Sequence, residues 1–209
     1  MNNIIFDFET SGFNPEENEA LQLAYLIVAE DLKIVKAKNY FFIPNKPLEE
    51  KAIECNGLTL EVLYANKAES IYRPEIQEMI CKDFNECKIK IAHNVNFDIS
   101  FLEKFFPGAC LEGTDILNPK ENETFCTMKK SKSTVQAVNK YGKIKNPSLD
   151  ELIEYFTINK FSLADKITEL FDGGSDRHDA RYDVTALWFA IIRSLWLQDQ
   201  LNRQIKGEN

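Results

Sequence analysis

Ile4-Ile5-Phe6-Asp7-Phe8-Glu9-Thr10-Ser11-Gly12 opens the chain with an apolar run that carries two acids and ends in a turn. In a strand, successive side chains leave opposite faces, so Ile4, Phe6 and Phe8 share one face while Asp7 and Glu9 share the other. A strand this apolar belongs in the middle of a sheet, where two adjacent carboxylates repel each other and lose hydration. Arginine partners would compensate them, and so would divalent cations, which take oxygen ligands. The alternative is an edge strand with two solvated acids; the poor fit of Asp to strands speaks against it.

Working outward, residues 21–29 and 33–43 are two more apolar or β-branched runs, with Glu30-Asp31 between them as in a hairpin. Short helices are expected between residues 47 and 66, broken at Asn56-Gly57, with Thr59 capping the second. Pro74 suits the first turn of a helix reaching about Cys87, residues 89–92 form a strand, and a helix over about 96–106 stops at Pro107-Gly108. Ser148 to Glu151 is a capping box, S-x-x-E, and a further helix fits residues 162–171. The final helix is expected over about residues 179–198, with Val184, Leu187, Trp188, Ile191, Ile192 and Leu195 at helical spacing. Strands first, then helices and strands in alternation, imply an α/β fold with a mixed sheet flanked by helices. One domain over residues 1–197 and a short polar tail over 198–209 account for the chain.

Composition bounds the function. The chain has 209 residues, 44% hydrophobic with 15 Phe, enough for a sizeable core and too apolar for disorder. No run approaches the ~18 apolar residues of a membrane span. MNNIIFDFET lacks a basic n-region, so no secretory signal is expected, and no membrane partner. Five cysteines, at 55, 81, 87, 110 and 126, make no disulfide framework and suit a reducing cytoplasm. With 25 basic and 33 acidic residues the net charge is −8, which argues against a basic nucleic-acid coat protein. It is compatible with an enzyme that holds cations in an acidic cleft.

Two more clusters join the opening acids. In Ala92-His93-Asn94-Val95-Asn96-Phe97-Asp98 a strand gives way to a helix with Asp98 in its first turn, where the helix dipole alone favours an acid. In His178-Asp179-Ala180-Arg181-Tyr182-Asp183, Asp179 suits an N-cap, and Asp183 shares a helix face with Leu187. A carboxylate at the head of an apolar stripe needs neutralising. The chain has only two histidines, and each stands beside an acid cluster. Four carboxylates from three elements can converge on two cations ~3.5–4 Å apart, the geometry of two-metal phosphoryl chemistry. His178, with an ordinary pKa near neutrality, suits the removal of a proton from water.

D-x-E-T at Asp7 to Thr10, H-N-x-x-F-D at His93 to Asp98 and H-x-A-x-x-D at His178 to Asp183 together resemble, in order and spacing, the three motifs of the DnaQ-like exonuclease family, DEDDh subgroup. The resemblance runs from residue 4 to about 195. It implies a ribonuclease H-like fold with a central mixed five-stranded sheet, and 3′→5′ removal of nucleoside monophosphates from nucleic-acid ends. It implies two divalent cations, Mg2+ or Mn2+: Asp7 bridging both, Glu9 and Asp183 holding the nucleophile-side cation, and Asp98 supporting the other through water. His178 is then the general base, and the backbone near Thr10 meets the terminal 3′ sugar. His178 stands five positions before Asp183, as in the histidine subgroup. The sequence departs from the family at Gln22, where members often carry an acid that is not a ligand, and in the longer stretch 157–175.

Residues 124–149 contain no Asp or Glu but six lysines, at 129, 130, 132, 140, 143 and 145. Lys129, Lys130 and Lys132, with Tyr141 further on, suit the backbone of a single strand; equally, such a run suits a solvated loop. His93 and Asn94 are further candidates for substrate contact. The expected partner is nucleic acid with a free 3′ end, single-stranded and with DNA favoured, and a proofreading role needs a separate polymerase or repair protein. Within the same family an exoribonuclease or oligoribonuclease is the rival reading, and hydrolysis of free nucleotides is a third. A catalytically silent nucleic-acid-binding module is disfavoured because all four acids and the histidine are present. A structural Ca2+ site is disfavoured because the loop pattern D-x-[DN]-x-[DN]-G is missing.

Overall fold

The computed structural model describes residues 2–109, 124–173 and 178–207. Its centre is a five-stranded sheet in the order β3-β2-β1-β4-β5, made of β1 (Asn2–Thr10), β2 (Ala20–Val28), β3 (Ile34–Phe41), β4 (Cys87–Ala92) and β5 (Thr124–Cys126). β1 pairs antiparallel with β2 and parallel with β4, so the strand bearing Asp7 and Glu9 lies in the middle of the sheet and the edge-strand alternative falls away. The sheet is mixed, as expected, because β2–β3 is antiparallel and β4–β5 parallel.

Both faces are covered. On one, Ile4, Phe6, Phe8, Leu23 and Tyr25 meet α3 (Pro74–Asn85) and α4 (Val95–Phe105) in a core rich in phenylalanine. Phe84 stands edge-on to Phe6 and to Tyr25, with centroids 5.1 and 5.6 Å apart. On the other face Ile5, Ala24, Leu26, Ile89 and Ile91 meet α6 (Leu149–Tyr155), α7 (Lys160–Phe171) and α8 (Ala180–Arg193). Every residue of β2 is buried, as a strand covered on both sides requires. A small third cluster, Leu21, Phe41, Leu58 and Leu63, sits under α1 (Glu50–Asn56) and α2 (Leu60–Ala65).

Local signals act where the sequence placed them. Gly57 closes α1 in the left-handed region at φ 69°, the Thr59 hydroxyl accepts from the amide of Val62, and Pro74 begins α3. Ser148 and Glu151 form both halves of the capping box. Two expectations need correction. The last helix is not continuous to residue 198. It breaks at Ser194, whose extended backbone ends α8 and whose hydroxyl accepts from Leu197 to start α9 (Leu195–Lys206). The polar tail expected from residue 198 is therefore mostly helix, with Leu197 and Leu201 buried and the Gln204 amide donating to the Thr124 carbonyl at 2.7 Å. The lysine window is also no plain loop: Thr127–Val135 is a helix, α5, following β5. β5 has three residues, too few for a periodic pattern, and hid both elements from view. Cys110, Ser175 and Asn209 lie outside the described residues.

No helix among the described residues is long and apolar enough to cross a membrane.

Candidate active site

The parallel strands β1 and β4 end on the same edge of the sheet, and the three motifs meet there. Asp7 and Glu9 leave β1 on the face covered by α8. Opposite Asp7 in the register stands Ala24, a residue small enough to leave room, and opposite Glu9 stands Gln22. The pairing slips between Glu9 and Thr10, where β1 leaves the sheet. Asp98, in the first turn of α4, is 1% exposed, and its Oδ1 accepts the Phe8 amide at 3.1 Å. That amide lies beyond the last β1–β4 pair, so the carboxylate takes up a donor the ladder leaves over.

The third motif is carried by the start of α8. Asp179 is the N-cap, accepting the Arg181 amide, and Asp183 lies one turn in. His178, just before the cap, has φ 61°, a left-handed backbone uncommon outside glycine and less so for His than for most residues. Glu9, His178 and Asp183 each offer a ligand atom within 4.8 Å of the others.

The acids of this cluster repel one another. Asp7 is pushed well above the usual carboxylate range by burial, then by the charges of Asp98, Asp183, Glu9 and Asp179. Glu9 is raised by burial, Asp183 and Asp179, with a hydrogen bond from Asn56 opposing. Asp98 is raised by burial against the lowering effect of the Phe8 amide. Among the described residues no lysine or arginine pairs with Asp7, Glu9 or Asp98; Arg181 instead holds Asp179 with two bonds of 2.9 and 2.6 Å. Elsewhere the chain does neutralise a buried acid: Asp83 is met by Lys36 Nζ at 2.6 Å and the Tyr25 hydroxyl at 2.8 Å. Oxygen-rich, buried and mutually repelling, the site fits hard divalent cations.

The other expected residues are placed as follows. The Thr10 hydroxyl donates to the Gly12 carbonyl at 2.6 Å, and its own carbonyl accepts from Asn56 Nδ2 at 3.1 Å. Asn94 is exposed at the N-cap of α4 with φ 73°. His93 has both ring nitrogens engaged, Nδ1 with the Thr127 hydroxyl and Nε2 with the Pro147 carbonyl, each at 3.0 Å. It braces β4 against the two ends of the lysine window, and burial lowers its pKa, which suits a neutral ring. Lys129 and Lys132 are exposed on α5, whereas Lys130 lies 6.0 Å from the Phe125 ring centroid.

Sequence reasoning missed three residues. Gln22, fully buried, donates from Nε2 to Asp179 Oδ1 at 3.0 Å and to Asn39 Oδ1 at 2.8 Å, while its Oε1 accepts the Ala180 amide at 3.2 Å. It thereby fastens the start of α8, and so His178 and Asp183, to β2. Its signal was present as a polar residue in the otherwise apolar strand ALQLAYLIV. Asn56, which had marked only a helix end, bridges Glu9 and Thr10. Phe13 is 90% exposed just past the turn, its ring 6.5 Å from that of Phe97.

The sequence pattern of the exonuclease family RNase_T matches residues 4–188. The chain belongs to that family, and with it to the DnaQ-like group that the three motifs resemble. Among curated relatives it is similar to DNA polymerase III of PolC type from Halalkalibacterium halodurans, 26% identical over 209 residues, 95% of this chain and 12% of that protein. The PolC-type polymerase of Thermotoga petrophila is 29% identical over 99 residues, 47% of this chain and 7% of that one. The chain thus spans 7–12% of the length of these relatives. Among solved structures, E. coli exonuclease I in complex with a dT13 oligonucleotide gives a TM-score of 0.69 at 16% identity, covering 99% of this chain and 45% of that one. Exonuclease X in complex with 5′ overhanging duplex DNA gives 0.59 at 20% identity, with 96% and 98% covered. They share the ribonuclease H-like fold.

Proposed function

We propose that this chain is a 3′→5′ exonuclease of the DEDDh type that removes nucleotides from single-stranded DNA ends with two divalent cations, Mg2+ or Mn2+. The observation that carries the reading is the convergence of Asp7, Glu9, Asp98 and Asp183 at one sheet edge, with His178 within 4.8 Å of Glu9 and Asp183. Asp7, Glu9, Asp98 and Asp183 hold the cations. Cations bound there supply charge neutralisation for the scissile phosphate and acidify a water. His178, on the loop before α8 and half-buried, removes the proton of the attacking water as general base. Gln22 and the Asp179–Arg181 pair keep its loop in place. The backbone at Thr10 and the exposed Asn94 receive the terminal nucleotide, and Phe13 offers its base an aromatic face.

The polymerase relatives and the DNA bound by the structural neighbours support DNA as substrate, and a polymerase as the partner a proofreading role requires. The test is digestion of matched 5′-labelled single-stranded DNA and RNA with Mg2+ or Mn2+, beside an EDTA control and an Asp7→Ala/Glu9→Ala double variant. A ladder shortening from the 3′ end of DNA, absent from both controls, is expected. Faster shortening of RNA would make the chain an exoribonuclease. No cleavage with cations bound would refute the reading.

A further inference from the structure

The acid-free stretch between β5 and α6 folds into a built feature that the catalytic cluster does not use. After α5 the chain forms a small hairpin, closed by an antiparallel bridge between Val138 and Ile144. Lys145 donates its amide to the Ala137 carbonyl at 2.8 Å, and Asn139 donates to the Lys143 carbonyl at 2.9 Å. At the tip the Asn139 side chain accepts the amides of Tyr141 at 2.9 Å and Lys143 at 3.1 Å, and Gly142 takes the left-handed turn at φ 74°. This backbone is pinned, and what it presents is unusual for a solvated turn. Val138 is 57% exposed, Tyr141 75% and Ile144 55%, with Lys140 and Lys143 exposed between them. Lys140 Nζ sits 5.1 Å from the centroid of the Tyr141 ring. Of the remaining lysines, Lys145 is paired with Glu151 at 2.5 Å, while Lys129 and Lys132 are exposed on α5.

The hairpin also lies at the right edge of the sheet. The Pro147 carbonyl is 3.0 Å from His93 Nε2, and His93 follows β4 directly on the way to Asp98. Pro147 stands three positions after Ile144, a reach of at most ~11 Å. In a chain of net charge −8 a polyanion is repelled over much of the surface and drawn to this window. Lysines interleaved with an exposed aromatic ring are the means by which proteins hold single strands, charge to phosphate and ring to base.

We propose that the hairpin of residues 137–145 is a second binding surface for the single-stranded polynucleotide, engaging the strand several nucleotides upstream of the 3′ end. Tyr141 stacks on a base, Lys140 and Lys143 neutralise flanking phosphates, and Lys129 and Lys132 extend the track along α5. This rests on the exonuclease reading, since it assigns the hairpin the far end of the same substrate.

The experiment compares wild type, Lys140→Ala/Lys143→Ala, Tyr141→Ala and Tyr141→Phe on oligothymidylates of about 20 and about 3 nucleotides, bracketing the ~4–16 nucleotides a single-strand groove covers. Wild type is expected to favour the longer strand through KM. That preference should fall about tenfold in the double-lysine and Tyr141→Ala variants and be kept in Tyr141→Phe. Anisotropy with the labelled 20-mer in EDTA, which needs no cleavage, should show the salt slope flattened by about 1.4 in the lysine variant, ~0.7 for each phosphate no longer neutralised. If length preference and salt slope both match wild type, the hairpin does not hold the strand and the proposal is overturned; its exposed face would then suit a protein partner. If no variant nor wild type cleaves anything, the catalytic reading has failed, and the anisotropy arm alone decides for or against the hairpin.

Discussion

Removing one negative charge from the acidic cluster should make the metal-free protein more stable, the reverse of what a buried substitution usually does. Glu9 and Asp183 bring ligand atoms within 4.8 Å of each other. At an effective dielectric of about 20, two unit charges at that distance repel by ~3.5 kcal/mol. This is an upper figure, because Asp183 is only half-buried and water screens part of the field. Glu9→Gln should therefore raise the metal-free melting temperature at pH 8 by up to ~7–14 °C, at about 2–4 °C per kcal/mol for a chain of this size. Asp7, Glu9 and Asp98 have folded-state pKa values above their unfolded ones. The folded state thus keeps protons that the unfolded state releases, and metal-free stability falls as pH rises from the ordinary carboxylate range through the raised values. Melts in EDTA should accordingly be higher at pH 5.5 than at pH 8. Saturating Mg2+ or Mn2+ should close the gap, adding ~2.7 kcal/mol at a hundred times Kd. Scanning calorimetry across these conditions is the assay. A metal-free melting temperature independent of pH, together with destabilisation by Glu9→Gln, would show that the acids are already compensated, and the cation-trap reasoning would be wrong.

Three other outcomes follow from the geometry. His178→Ala should lower kcat by about 10²–10⁴-fold while calorimetric cation titration remains close to wild type; an equal loss of cation affinity would make the residue a ligand instead of a base. Gln22→Ala removes partners from Asn39, Asp179 and Ala180 at once and should cost about 1–3 kcal/mol by denaturant melt, with kcat falling further than stability explains; normal turnover in the folded variant would show that α8 is positioned without it. Gly12→Ala would put a methyl group 2.4 Å from Asn18 Nδ2, so the Asn18 side chain must move and give up its bonds to Glu49 Oε1 and the Asn14 amide; the turn after Thr10 loosens and kcat/KM should drop, which steady-state kinetics would show.

The fold was legible where a local signal and the sheet's demand agreed. Ile4, Phe6 and Phe8 against Asp7 and Glu9 set the central strand and its two faces, because a period of two has only one way to bury three apolar side chains together. Thr59, Pro74 and Ser148 marked helix starts by chemistry that needs no tertiary partner. The break at Ser194 was not readable, since the apolar spacing continues through it and a serine inside a helix differs little from one at its cap. In the site, the acids stood out by being misplaced in apolar company. Gln22 and Asn56 did not, because each acts through neighbours supplied by distant elements: Asp179 is 157 positions from Gln22, and Thr10 is 46 from Asn56. His93, a motif residue expected at the substrate, has its ring engaged by Thr127 and Pro147, a use within the fold that the motif alone does not announce.

The turn at Ser194 has a consequence for solubility. β5 is the last strand of the sheet, three residues long, and strands at such a border recruit other chains when left bare. By folding back, α9 lays Gln204 on the Thr124 carbonyl and its Ile205 carbonyl against Lys88, roofing that border. A chain cut after Arg193 would keep Asp7, Glu9, Asp98, Asp183 and His178. It would lose the roof, and self-association through β5 is the failure to expect from it.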